Sequence, residues 1–90
     1  MSKSFPLVMA TVGEQVRLES ISGGGKLIQR LTALGLTPGV DLSVVQDAGG
    51  PLLISVRDSR IALGRGMAYR VIVSLVDSNG SKTKNEGEKK

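Results

Sequence analysis

The 90-residue chain contains no cysteine and no histidine. Their absence removes disulfides, thiolate nucleophiles, Ser–His and Cys–His catalytic pairs, and every soft or imidazole metal ligand. Only carboxylates, carbonyls and methionine sulfurs remain for a metal. The eight Asp and Glu are scattered, with none of the tight D-x-D-x-D spacing of a calcium loop. No metal site, cofactor or catalytic residue is therefore expected, and the chain reads as a non-enzyme. Aromatics are nearly missing too: one Phe, one Tyr and no Trp. The core must be built from Leu, Ile and Val, and few rings are left to stack on bases or sugars. Long apolar runs are also lacking. Leu7–Ala10 and Val71–Val73 fall far below the roughly 18 residues that span a bilayer. The N-terminus, with one Lys and a short run broken by Pro6, matches a secretory signal poorly, so a cytoplasmic location is expected.

What is present fits one small domain with a thin core. Hydrophobic residues make up 40% of the chain, enough to argue against global disorder. The net charge of +4 is shared unevenly. Lys82, Lys84, Lys89 and Lys90, against Glu86 and Glu88, supply half of it from the last ten residues. The rest of the chain is only mildly basic, which argues against the dense stripe of a nucleic-acid binder.

Along the chain, residues 1–5 read as a frayed end. Val16–Ile21 alternates apolar and polar, the period of a half-buried strand. Gly23-Gly24-Gly25 breaks it, and the period then becomes helical. Leu27, Leu31 and Leu34, with Ile28 beside them, line one face, while Lys26, Gln29 and Arg30 face away. Gly35 stands where a left-handed residue would end the helix. Thr37-Pro38-Gly39 has the Pro and Gly placement of a type II turn. Strands follow at Val40–Gln46, Leu52–Val56 and Ile61–Leu63, the last two as a hairpin across Arg57-Asp58-Ser59-Arg60. Gly64–Tyr69 reads as a helical turn or loop, and Val71, Val73 and Leu75 make the closing strand. The expectation is a mainly β domain over residues 1–76: a small five-stranded barrel with a helix inserted after the first strand. Residues 77–90 read as a disordered charged tail.

The run Arg30-Leu31-Thr32-Ala33-Leu34-Gly35-Leu36-Thr37-Pro38-Gly39 resembles the hallmark of the FeoA domain, a helix ending in Leu-Gly-Leu/Met-x-Pro-Gly. Gly50-Pro51-Leu52-Leu53-Ile54 and Ile61-Ala62-Leu63 resemble later segments of that family in order and spacing, as do Gly13-Glu14 and the first strand. The resemblance spans roughly residues 7–75. It departs at Gly64-Arg65-Gly66 and does not reach the C-terminal extension. It implies an SH3-like barrel acting in the cytoplasm as an accessory to ferrous-iron uptake, beside the FeoB permease with its GTP-binding domain. The same fold occurs as an accessory domain of metal-dependent repressors.

Gly23-Gly24-Gly25-Lys26 fails as a phosphate loop, because Ser20 stands where the first Gly belongs and Leu27 where Ser or Thr belongs. It reads as a flexible connection, with a weak anion site at the helix start as the sharper alternative. Arg57, Arg60, Arg65 and Arg70 are the densest basic group. They read either as solvated rim or as a docking patch for an acidic partner surface. Leu34–Gly39 reads first as a cap, a turn and a core anchor, and Leu36, following the cap, can point inward, or outward as an exposed apolar contact. The candidate partner-binding residues are thus Lys26, Arg30, Leu36, Thr37, Arg57, Arg60 and Arg65. Gly35, Pro38, Gly39, Gly50 and Pro51 are expected to serve structure, and Met67 and Tyr69 to lie in the core or at its rim. A nucleic-acid-binding small barrel and a stand-alone relative of the repressor domain remain the alternatives.

Overall fold

The structure is a computed structural model and describes residues 3–76. The tail expected over 77–90 lies outside the described residues. Six strands form one antiparallel sheet: β1 Ser4–Pro6, β2 Gln15–Ile21, β3 Asp41–Asp47, β4 Leu52–Val56, β5 Ser59–Leu63 and β6 Val71–Leu75. Their order across the sheet is β1-β6-β2-β3-β4-β5. A short 3-10 turn, Leu7–Met9, follows β1. Helix α1, Gly25–Ala33, lies between β2 and β3, and a one-turn helix α2, Arg65–Ala68, lies between β5 and β6.

Two expectations are corrected. Among the described residues the strands number six, because Ser4–Pro6 pairs with β6 instead of fraying, with Phe5 opposite Val73. The helix accordingly follows the second strand. The barrel is also not closed by hydrogen bonds: β1 and β5 are the sheet's two edges, and no ladder joins them among the described residues. β4 runs where alternation placed it, and the β4–β5 turn is tighter than expected. Val56 pairs directly with Ser59, leaving only Arg57 and Asp58 in the loop.

One face of the curled sheet holds the core. Val16 and Leu18 of β2, Leu42 and Val44 of β3, Ile54 and Val56 of β4, Leu63 of β5 and Val71 and Val73 of β6 are all buried. Leu7, Leu31, Leu36 and Ala68 cap this cluster from the connections. Burying each such aliphatic side chain contributes about 1.5–3 kcal/mol, which lets an almost ring-free chain fold. Each of two ladders shifts register once, between Leu18 and Ser20 on β2 and between Val44 and Gln46 on β3. Such bulges strengthen the local twist that curls a sheet. At the first bulge the Ser74 hydroxyl, on the buried polar residue of β6, donates to the Glu19 carboxylate at 2.5 Å.

Candidate functional site

The segment after α1 is built by local backbone chemistry. Gly35 adopts φ +94°, the left-handed region that glycine enters freely. The N–H of Leu36 donates to Leu31 O at 2.9 Å and that of Gly35 to Thr32 O at 2.9 Å. These two bonds are the Schellman arrangement that ends a helix. Gly39, at φ +95°, completes a type II turn in which Val40 N–H donates to Thr37 O at 3.1 Å. Gly39 N–H then donates to Leu18 O, tying the turn to β2. Leu36 is wholly buried, so the exposed apolar contact expected there is corrected: its side chain packs inward with Leu31. Thr37 is half-buried. The apolar face of α1 is covered less than its spacing suggested. Leu31 is buried and Leu27 half-buried, but Ile28 and Leu34 are exposed. Tyr69 is exposed as well, and Met67 packs against the core edge.

The basic residues that cluster in sequence are placed by different elements and contacts. Arg65 opens α2 and clasps Asp47 at the end of β3 with two bonds, 2.9 and 3.0 Å, adding a third at 2.8 Å to Gly50 O. Gly49 N–H also donates to the Asp47 carboxylate at 3.1 Å. The Arg65 hydrogen bond, helped by that amide, holds the Asp47 carboxyl below its usual pKa. Arg65 therefore fastens the β3–β4 turn, to which Gly50 and Pro51 belong, to α2. Arg70 lies along Gly23 at the start of α1, its Cδ 3.4 Å from where a Cβ on that glycine would stand. Lys26 and Arg30 are exposed on α1. Arg57 and Arg60 remain together at the β4–β5 hairpin, at the end of β4 opposite Arg65, both exposed.

Beside that hairpin an open groove of about 540 Å³ crosses the outer surface, lined by Gln15, Gly39, Val40, Asp41, Leu42, Ser43, Ser55 and Arg57. Strand register builds it. Gln15 lies opposite Ser43, Ser43 opposite Ser55, and Ser55 opposite Arg60, so one polar row runs across β2, β3, β4 and β5. The groove's one carboxylate, Asp41, is engaged by its cross-strand neighbour Arg17, at 2.8 and 3.4 Å. That hydrogen bond and the adjacent charge hold the Arg17 guanidinium above its ordinary pKa. Sequence reasoning reached Arg57 and Arg60 but missed Gln15, Asp41, Ser43 and Ser55. Small polar residues at outward strand positions look like ordinary surface until the register aligns them. Among the described residues, no three Asp or Glu stand together as a metal would need, and no helix is long and apolar enough to cross a membrane.

Comparison with known proteins places this architecture. The model of the FeoA domain matches residues 5–75. The chain is 36% identical over 80 residues to the "Putative Fe(2+) transport protein A" of Methanocaldococcus jannaschii, covering 89% of this chain and 98% of that one. A crystal structure of an iron uptake regulatory protein, FeoA, superposes with a TM-score of 0.77 at 36% identity, over 82% of this chain and all of that one. The zinc complex of Stenotrophomonas maltophilia FeoA, described as a procaryotic SH3 domain protein, gives 0.68 at 28% identity, over 81% and 88% of the two chains. A manganese-dependent transcriptional repressor shares the fold alone, with a TM-score of 0.75 at 15% identity, over 84% of this chain and 44% of the repressor. With a family match running from β1 to the end of β6 and a relative aligned along nearly its whole length, this chain belongs to the FeoA family.

Proposed function

We propose that the protein is a non-catalytic cytoplasmic accessory of ferrous-iron uptake that docks on the cytosolic part of a FeoB-type permease and supports its transport. The observation that carries this reading is the family match across the whole described sheet, in a family linked to Fe(2+) transport. The chemistry of the chain agrees with it. A sequence without His or Cys offers little for catalysis or for holding a transition metal, and its exposed cations suit recognition of an acidic protein surface.

Pull-down of the purified protein by the intact permease and by its soluble domain tests the reading. Retention by the intact permease, with slowed ferrous-iron-dependent growth when the protein is deleted, is the expected result. Two paired charge reversals locate the contact: Lys26→Glu with Arg30→Glu on α1, and Arg57→Glu with Arg60→Glu on the hairpin. The pair on the docking face weakens association and leaves the fold intact, and added salt weakens it further. The fold shared with the repressor supports a second reading, a relative of a regulatory domain. Salt-dependent retention on heparin or RNA, without permease binding, would favour a nucleic-acid role instead.

A further inference from the structure

The row Gln15–Ser43–Ser55–Arg60 and the turn residue Arg57 carry unused hydrogen-bonding capacity. Among the described residues, none of these five side chains makes a hydrogen bond or an ion pair within the protein. Ser43 and Ser55 are half-buried, so the two hydroxyls sit in the floor of the groove. Asp41, the lining carboxylate, is paired with Arg17, so the groove presents an amide, two hydroxyls and the Arg57 guanidinium, with Arg60 next along the row beyond Ser55.

Arg57 is also held in an unfavourable backbone conformation. It is the one non-glycine among the described residues with positive φ, at +56°. A two-residue hairpin wants Gly, Asn or Asp at its first position, because a Cβ is strained there. A residue kept at a strained turn beside a groove of unpaired donors is a pointer to binding.

We propose that this row is a docking groove for an acidic, extended protein segment of a partner. The segment lies across β2, β3, β4 and β5, with its carboxylates on Arg57 and Arg60 and its main chain on Ser55, Ser43 and Gln15. Strands are spaced by about 4.8 Å, so three spacings make a row of roughly 14 Å, the length of about four extended residues. Arginine can meet a carboxylate with two parallel bonds, and the hydroxyls and the amide can serve a backbone's carbonyls and N–H groups alike. Charge complementarity selects an acidic chain over a basic or apolar one, since no unpaired carboxylate lines the groove.

The inference deepens the docking reading by assigning it a surface, but its test needs no permease. A capped octapeptide alternating Thr and Glu is titrated into the isotopically labelled protein at low salt, and its Thr–Lys counterpart serves as control. The expected result is saturable NMR shifts of the Gln15, Ser43, Ser55, Arg57 and Arg60 amides with the acidic peptide only. Arg57→Gly then weakens binding at least tenfold while its thermal midpoint rises by about 4 °C or more, since the strain is relieved. Arg57→Lys, which keeps a charge, binds better than Arg57→Gly. No saturable shift, shifts confined to Lys26 and Arg30, or an Arg57→Gly variant that binds as well as the parent would each overturn the proposal. Peptide binding without permease association would discard the permease as partner and keep the groove. Permease association with an inert groove would do the reverse.

Discussion

The carbonyl of Leu31 accepts the N–H of Leu36 at 2.9 Å, and both side chains are completely buried. Together with the Gly35 N–H bond to Thr32 O and the shared burial of the two leucines, this bond closes α1 and turns the chain back toward β3, with Gly35 as the pivot at φ +94°. Gly35→Val places a β-branched side chain in the left-handed region. It should destabilise by about 1–2 kcal/mol or more, read from urea unfolding. Gly35→Asn should be milder, because Asn tolerates that conformation. A loss of iron uptake in the valine variant would therefore report folding and not docking.

Leu36→Ala separates core from contact at the neighbouring position. A fully buried leucine cut to alanine loses about 2–5 kcal/mol, depending on how far the site collapses. Calorimetry should show a drop in that range, with ligand-free and partner-bound samples affected alike. A stable variant with weak association would instead make Leu36 a contact residue.

The Asp47–Arg65 clasp gives the fold a pH signature. The Asp47 carboxyl titrates below its usual range in the folded state, because Arg65 and the Gly49 amide bond its charged form. Its contribution to stability is complete above the unfolded carboxylate value, about 3.9, and is lost as pH falls through the depressed folded value. Asp47→Asn should therefore lower the thermal midpoint at pH 7, and the gap to the parent should close under acid. A double-mutant cycle with Arg65→Met should show coupling at pH 7 and none below the folded pKa. An equal gap at every pH would mean that the asparagine disturbs the turn by other means.

Gly23 makes the close approach at the start of α1. It sits at φ +146°, and a Cβ there would stand 2.8 Å from Leu27 Cδ2 and 3.4 Å from Arg70 Cδ. Gly23→Ala should lose stability on the order of 1–3 kcal/mol, the cost of backbone available almost only to glycine. Gly24→Ala and Gly25→Ala, which meet nothing within 4 Å and have no positive φ, should be nearly neutral or stabilising. Equal losses at all three would mean that the run needs flexibility as such.

These outcomes divide along what a sequence can carry. Gly35 and Thr37-Pro38-Gly39 were legible because caps and turns are decided by residues a few positions apart. The direction of Leu36 stays open in the sequence, because a residue after the cap can pack on the helix or face solvent, and only its burial in the fold decides it. β1 escaped because three residues ending in Pro6 show no alternation, and its partner β6 lies almost seventy positions away. Arg65 looked like part of an arginine cluster because its true partner, Asp47, is 18 residues distant. The groove is wholly a matter of register: Gln15, Ser43, Ser55 and Arg60 meet through three separate ladders, and no local pattern announces them.

Ser4 lies directly opposite Ser74, in strands that run in opposite directions. Chain entering at β1 and chain leaving β6 therefore pass through the same corner of the sheet, about 5 Å apart. Anything tethered before Ser4 or after Ser74 departs from one point, remote in sequence from the hairpin that carries Arg57. A short linker from Val76 to Lys3 could join the strands there and let the chain be opened instead at Gly49-Gly50, keeping every ladder and giving up the turn that Arg65 fastens. A cargo attached at that corner would hang from a single anchorage whichever end carried it.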